Sequence, residues 1–138
     1  MNKDLVAFVD GASRGNPGPS GIGVVISDNE GNVLKEIAES VGRTTNNVAE
    51  YSALIRALEE ARAMGGSGIQ VYTDSELMAR QINGQYQVRK RHLFPLFTRA
   101  KDLMEQFDRA RVTHVVRERN THADRLSNLG ADRAQDRN

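Results

Sequence analysis

The order in which strand-like and helical patterns of apolar residues follow one another constrains the fold of this chain most. Three strand-like segments come first, Leu5 to Val9, Ile22 to Ser27 and Val33 to Ser40, and Gly, Pro, Asn and Asp mark the turns between them. A helical period then covers residues 47 to 64. Strands joined by turns favour an antiparallel meander, whereas helical crossovers favour parallel strands. The sequence therefore predicts an α/β fold with a mixed sheet and helices packed on it.

Strand-like and helical segments alternate through the second half of the chain. Strands are predicted at residues 69–73 and 111–116, and helices at residues 76–82, 92–107 and 121–133. The sheet would thus have five strands, three antiparallel and two further parallel ones. A length of 138 residues is typical of one domain, predicted over residues 1–133, and residues 134–138 are predicted to form a disordered tail.

Composition excludes some classes of function. The chain has no cysteine, which excludes disulfides, zinc–thiolate sites and thiol nucleophiles. No apolar run approaches the roughly 18 residues of a membrane span. The formal net charge is only +1, but residues 84–120 contain nine Lys and Arg against four Asp and Glu. This local excess fits either a nucleic-acid contact or a solvated helix face.

Four carboxylates stand where this fold could bring them together. Asp10 and Asp74 each end a strand-like run, Glu50 lies near the start of the first long helix, and Asp124 lies early in the last one. Functional residues gather at the carboxyl ends of strands in open α/β sheets. If the first and fourth strands are neighbours, their terminal carboxylates lie within reach of one ion. Such oxygens suit a hard, partly hydrated cation, and two such ions support in-line phosphoryl transfer.

Each acid also has a simpler explanation, which the residues alone leave open. Asp10 could be a turn residue, Asp74 a helix cap and Asp124 a solvent-facing charge. Glu50 could complete a capping box that begins at Asn47. The three histidines have no metal-ligand spacing and are not predicted to be catalytic: His92, His114 and His122.

Four linked motifs resemble type 1 ribonucleases H, the ribonuclease HI family, over essentially the whole chain. They are Asp10 to Gly18, Thr45 to Tyr51, Tyr72 to Glu76, and Arg117 to Asn120 followed by Ala123 and Asp124. The resemblance implies the ribonuclease H-like fold, a five-stranded mixed sheet with helices on both faces. It also implies endonucleolytic hydrolysis of the RNA strand of RNA/DNA hybrids, leaving 5′-phosphate and 3′-hydroxyl ends. By motif, the ligands of two Mg²⁺ or Mn²⁺ ions, bound with substrate, would be Asp10, Glu50, Asp74 and Asp124.

The same resemblance implies which residues contact the hybrid. A loop after the first strand would approach the minor groove, where 2′-hydroxyls are displayed, and a helix start would offer N–H groups to phosphate. The implied set is Gly11, Ser13, Arg14, Asn16, Thr45, Asn46, Asn47 and Glu76. Glu76 replaces the Gln often found at its position, and Asn46 and Asn47 could instead be helix caps. The family further implies a cytoplasmic monomer without membrane contact.

Two departures from the family pattern affect the expected chemistry. Many members carry a loop His before the last Asp, whereas here Arg117 takes that place, as in a subset of the family. Arg117 is therefore expected to assist catalysis by holding the scissile phosphate or easing product release. The connection from Asn83 to Arg91 is short and lacks the Trp-containing basic protrusion of some members. Modest substrate affinity with strong salt dependence is therefore expected.

Three other classes of protein compete with this interpretation. The first is another metal nuclease of the same fold, such as a proofreading exonuclease or a reverse-transcriptase-associated domain. Exonucleases usually place a Glu two residues after the first Asp, where Ala12 stands here. A non-catalytic relative is another, and it would be expected to have lost a carboxylate. The third is a structural module with accidental acids, which four linked motifs disfavour.

Overall fold

The computed structural model describes residues 3–136, which form a five-stranded sheet in the order β3-β2-β1-β4-β5. The first three strands pair antiparallel, whereas β4 runs parallel to β1, and β5 parallel to β4. The predicted mixed sheet is confirmed, and the first and fourth strands are neighbours. The strands are β1 (Asp4–Ser13), β2 (Gly18–Asp28), β3 (Val33–Thr44), β4 (Gly68–Thr73) and β5 (Arg109–His114).

Four helices complete the fold, and side-chain caps fix the start of two of them. The Thr45 hydroxyl accepts a hydrogen bond from the N–H of Val48, and the Ser75 hydroxyl accepts one from the N–H of Met78. Both caps satisfy N–H groups that the first turn of a helix leaves unpaired. The helices are α1 (Asn46–Ala63), α2 (Glu76–Ile82), α3 (Phe94–Glu105) and α4 (Thr121–Asp136), with 3₁₀ turns at Arg91–Leu93 and Arg117–Arg119.

Helices α1 and α4 cover opposite faces of the sheet. Alternate residues of a strand face opposite sides, and Leu5, Ala7 and Val9 of β1 belong to the apolar core that α1 closes. Gly23 of β2 faces the other side, where a Cβ atom would lie 2.1 Å from the carbonyl oxygen of Ala123 in α4. Glycine at this position therefore lets α4 rest directly on the sheet backbone. Helices on both faces were predicted, and this is confirmed.

Several element boundaries differ from the sequence prediction. The β1–β2 pairing continues to Ser13 opposite Ser20, so the connecting turn is shorter than the predicted one. The predicted helix over 92–107 begins later, because a 3₁₀ turn precedes α3 and a proline occupies its first turn. Strand β5 lies two residues earlier than predicted, paired with β4 from Gly68–Arg109 to Thr73–His114.

The prediction of a disordered tail over residues 134–138 is wrong for residues 134–136. Helix α4 continues to Asp136, and Ala134 is buried. The helix is longer because its apolar stripe extends through Ala131 to Ala134, which keeps the last turn packed. Residues 137 and 138 lie outside the described part. Within residues 3–136, no helix is both long enough and apolar enough to cross a membrane.

Candidate active site

The sheet register brings Asp10 and Asp74 to one edge. The parallel pairing of β1 with β4 ends at Val9 opposite Thr73, and the two aspartates are the next residue of each segment. Asp10 is not the last residue of its strand, because β1 continues against β2 as far as Ser13. Asp74 does not cap α2, because Ser75 does. Both carboxylates therefore leave the sheet at the same place.

Glu50 reaches this edge because α1 lies directly against Gly11. A Cβ atom on Gly11 would lie 2.4 Å from the carbonyl carbon of Ala49, so only glycine allows this approach. The N–H of Gly11 donates a hydrogen bond to Oε1 of Glu50 at 2.5 Å. Since Thr45 caps α1, the alternative in which Glu50 completes a capping box from Asn47 is wrong.

The acids meet in an open cleft of about 400 Å³. One oxygen from each of Asp10, Glu50 and Asp74 lies within 4.8 Å of the other two. Asp124, half-buried in the first turn of α4, lines the same cleft but stands outside this group of three. All four carboxylates therefore line one cleft, as predicted, and three of them form the tighter group.

Electrostatic repulsion in this cluster favours a bound cation. Burial raises the pKa of Asp10 to about 9, and the charges of Glu50 and Asp74 add to the effect. Burial likewise raises the pKa of Glu50 to about 8, with Asp74 adding to it and the Gly11 hydrogen bond opposing it. A divalent cation would relieve both the repulsion and the unfavourable burial of charge. The all-oxygen donor set fits a hard cation such as Mg²⁺.

Most of the residues predicted for catalysis and substrate contact line this cleft. Arg117 opens the 3₁₀ turn before α4, is exposed, and lies close enough to Glu50 to lower the pKa of that carboxyl. The predicted residues in the lining are Asp10, Gly11, Ser13, Asn46, Asn47, Glu50, Asp74, Arg117 and Asp124.

Four predicted substrate contacts lie outside the lining and have partners within the protein. Asn16 accepts a hydrogen bond through Oδ1 from the N–H of Asn46 at 3.0 Å, and Thr45 caps α1. The exposed Glu76 pairs with Arg80 at 3.1 Å on α2. The fourth, Arg14, contacts Asn128 and Asp132 of α4. The contacts of Asn16, Thr45 and Arg14 hold the loop and two helices around the cleft, whereas the Glu76 pair lies within α2.

Three residues that sequence reasoning missed support the site. The Ser127 hydroxyl lies 3.1 Å from Oδ2 of Asp10, and Asn128 lies in the cleft lining. Ser127 follows Asp124 by three residues and Asn128 follows it by four, and these spacings place side chains on one face of a helix. The sequence therefore contained a signal for both residues. Buried Asn120 donates through Nδ2 to the Val9 carbonyl at 2.9 Å, which ties the turn before α4 to β1. No pattern in the sequence predicts this hydrogen bond between Asn120 and Val9.

Comparisons with known proteins agree with this geometry. The profile of a family described as reverse transcriptase-like matches residues 8–130. Ribonuclease H from Pseudomonas fluorescens is 34% identical over 148 residues, covering 96% of this chain and 95% of that protein. The bifunctional protein Rv2228c from Mycobacterium tuberculosis is 43% identical over 131 residues, covering 94% of this chain. The chain spans only 36% of that protein's length.

Solved structures match over nearly the whole chain. The N-terminal RNase H domain of Rv2228c superposes with a TM-score of 0.94 at 41% identity, covering 98% of each chain. LC11-RNase H1, isolated from compost and solved in complex with an RNA/DNA hybrid, superposes at 0.89 with 43% identity, covering 95% of this chain and 99% of that one. A ribonuclease H aligns with this chain over nearly its full length, and solved ribonuclease H structures superpose closely on it. The chain therefore belongs to the ribonuclease H family.

Proposed function

We propose that this chain is an endonuclease that hydrolyses the RNA strand of RNA/DNA hybrids and leaves 5′-phosphate and 3′-hydroxyl ends. The observation that supports this most is the group of Asp10, Glu50 and Asp74 oxygens, within 4.8 Å of one another in an open cleft. A relative at 43% identity has been solved with an RNA/DNA hybrid, which supports this substrate.

The proposed cofactor is Mg²⁺ or Mn²⁺, with two ions per site when substrate is bound. The residues that would hold them are Asp10, Glu50, Asp74 and Asp124. Bound divalent cations would polarise the scissile phosphate and lower the pKa of the attacking water. Asp10 and Glu50 would give up the protons that burial favours in the isolated protein, so their carboxylates could balance the charge of the ions.

The cleft lining suggests how the chain selects a hybrid. Gly11 and Ser13 end β1 at the cleft, and Asn46 and Asn47 begin α1 beside it. Short polar side chains and backbone groups can approach the shallow minor groove and read 2′-hydroxyls. The amino end of α1 favours phosphate through the positive end of the helix dipole, although the N–H groups of Asn46 and Val48 already donate within the protein. These residues would place one RNA phosphate against the carboxylates.

Arg117 would act on the phosphate by charge. Its guanidinium stays protonated near neutral pH, so it cannot shuttle a proton as a histidine would. Its place in the same cleft lining as the carboxylates suits holding the scissile phosphate or easing release of the product.

A second groove of about 480 Å³ continues the cleft beyond Asn47, which lines both. Arg89, Lys90 and Tyr86 lie along it. We propose that this groove carries the flanking nucleic-acid backbone, in place of the basic protrusion, so that affinity for the hybrid falls steeply as the salt concentration rises.

We also propose that the chain acts as a monomer in the cytoplasm. Gel filtration tests whether it is a monomer.

A cleavage assay tests the proposed function. End-labelled RNA/DNA hybrid, double-stranded RNA, double-stranded DNA and single-stranded RNA are incubated with Mg²⁺ or with EDTA. We expect cleavage of the hybrid alone, only with metal, and none by Asp10→Asn. Ligation and phosphatase treatment of the products identify their ends. Cleavage in EDTA, or equal cutting of double-stranded DNA, would contradict the proposal.

A further inference from the structure

A series of contacts connects the β1–β2 turn to the Asp124 carboxylate. Arg14 Nη2 lies 2.7 Å from Oδ1 of Asp132 and 3.1 Å from Oδ1 of Asn128. Asn128 Nδ2 in turn lies 2.9 Å from the carbonyl oxygen of Asp124 and 3.3 Å from its Oδ1. Asp124, Asn128 and Asp132 are spaced by four residues on α4, so all three share the helix face that meets Arg14.

An asparagine amide suits the middle of this series because it both accepts and donates. Its oxygen faces the Arg14 guanidinium, which can only donate. Its NH₂ group faces two acceptors of Asp124, the backbone carbonyl oxygen and the side-chain oxygen Oδ1. The reverse orientation would place oxygen against oxygen and NH₂ against guanidinium. Arg14 therefore selects the orientation in which Asn128 donates to Asp124.

Asp124 depends on such support more than Asp10 and Glu50 do. Asp10 and Glu50 are buried, and each is held by a partner, the Ser127 hydroxyl and the Gly11 N–H respectively. Asp124 is only half-buried and lies outside the group within 4.8 Å. Hydrogen-bond partners behind a metal ligand set its orientation, and their loss weakens metal binding.

We propose that Arg14 and Asn128 are positioning residues that orient the Asp124 carboxylate for a divalent cation, an inference that rests on the proposed function. Arg14 does not line the cleft, and its guanidinium is held against α4. Its main effect is therefore on metal binding and turnover, through Asn128, rather than on a phosphate of the hybrid.

The test compares Arg14→Ala, Asn128→Ala and the double variant with the wild type. Arg133→Ala is the matched control, because Arg133 also fastens α4, donating to the Ala38 carbonyl at 2.5 Å, but does not contact Asp124. Three quantities are measured: the Mg²⁺ concentration for half-maximal cleavage, the Kd for Mn²⁺ without substrate by calorimetry, and the KM for hybrid at saturating Mg²⁺.

Both single variants should raise the Mg²⁺ requirement and the Mn²⁺ Kd roughly tenfold while leaving KM for the hybrid nearly unchanged. The double variant should match Asn128→Ala, because both substitutions break one series of contacts. Arg133→Ala should lower thermal stability without changing Mn²⁺ affinity.

Two results would overturn the inference. A raised KM and a smaller salt dependence for Arg14→Ala, with unchanged Mn²⁺ affinity, would make Arg14 a phosphate contact. Metal affinities equal to that of Arg133→Ala would reduce both residues to structural fasteners. A wild type that binds Mn²⁺ but cuts no hybrid would defeat the proposed function instead, and the Mn²⁺ affinities of the variants would still decide the positioning role.

Discussion

The N–H of Gly11 donates to Oε1 of Glu50 at 2.5 Å, so that strand β1 and the second turn of α1 are joined at the cleft itself. Within this contact the strand approaches the helix backbone so closely that no side chain fits at position 11. One position thus sets both the packing of α1 on the sheet and the orientation of a proposed metal ligand.

Gly11→Ala should therefore damage stability and cleavage together. The added methyl would lie 2.4 Å from the carbonyl carbon of Ala49, which forces α1 outward and moves Glu50. We expect the free energy of unfolding, measured by urea denaturation, to fall by about 1–3 kcal/mol, as is typical of overpacking. The cleavage rate should fall at least about tenfold, because a catalytic group is misplaced.

Gly42→Ala is the control, since open space surrounds that position and only its backbone conformation (φ 75°) is unfavourable. Gly42→Ala should lose stability but keep cleavage, and equal activity loss in both variants would argue against the local explanation.

Asp10→Asn should abolish cleavage while preserving the fold. The substitution removes one negative ligand from the cluster but keeps the size of the side chain. We expect the steady-state rate in Mg²⁺ to fall by several orders of magnitude, with hybrid binding largely intact. A filter-binding assay and a cleavage time course measure the two effects. Retention of more than about a tenth of the wild-type rate would remove Asp10 from the catalytic group, since even one lost oxyanion donor costs about 10²-fold.

The stability of the metal-free protein should decrease as pH rises. Folding raises the pKa of Asp10 from its ordinary 3.8 to about 9, so the folded state holds a proton that the unfolded state releases. The resulting stabilisation is complete below the unfolded value and is lost as pH rises through the folded one. We expect the free energy of unfolding in EDTA to fall between about pH 4 and about pH 9 in the wild type, and less in Asp10→Asn. If the free energy of unfolding depended on pH equally in the two proteins, burial of the Asp10 carboxyl would not contribute to the pH dependence of stability.

Arg117→Ala should lower turnover by roughly ten- to a hundredfold, which corresponds to a lost charge-assisted contact of about 1.5–3 kcal/mol. Arg117→Lys should recover only part of the rate, because an ammonium lacks the planar fork of a guanidinium. The pH–rate profile of the wild type should show no limb near about 6.5, the ordinary pKa of histidine. Unchanged turnover and affinity in Arg117→Ala would make Arg117 an ordinary surface charge.

Selection of hybrids should depend on 2′-hydroxyls near Ser13 and Asn46. A hybrid with a single deoxynucleotide at the cleavage position should be cut poorly there and normally elsewhere, because one contact in the minor groove is lost. Sequencing gels of the two substrates show the difference. Equal cutting at the substituted position would place recognition away from the sugar.

Asp10 and Asp74 could be predicted because each follows a strand-like run that is rich in apolar residues. These runs, Leu5 to Val9 and Ile69 to Thr73, form neighbouring parallel strands, and their ends lie side by side. The approach of α1 to Gly11 could not be predicted, because a glycine after a strand is equally typical of a turn. The hydrogen bond from Gly11 that turns Glu50 into the cleft is a tertiary contact, and local spacing favoured a capping box instead.

The end of α4 and its contacts with Arg14 also escaped prediction. The last apolar positions of α4 pack only because Gly21, Gly23 and Gly130 let the helix rest on β2 and β3. The motif implies that Arg14 contacts the hybrid, whereas the fold places the acidic Asp132 at 2.7 Å from it. Contacts between residues more than a hundred positions apart leave no periodic signal in a single sequence.

The position of α4 has a consequence for the protein while it is being synthesised. Asp10, Glu50 and Asp74 all precede residue 75, but Asp124 and the serine that contacts Asp10 are carried by the last helix of the described chain. Until that helix has left the ribosome and docked on β2, the cleft lacks its fourth carboxylate. Under the proposed function, the complete set of metal ligands, and with it cleavage of a hybrid, would thus arise only after that helix has docked.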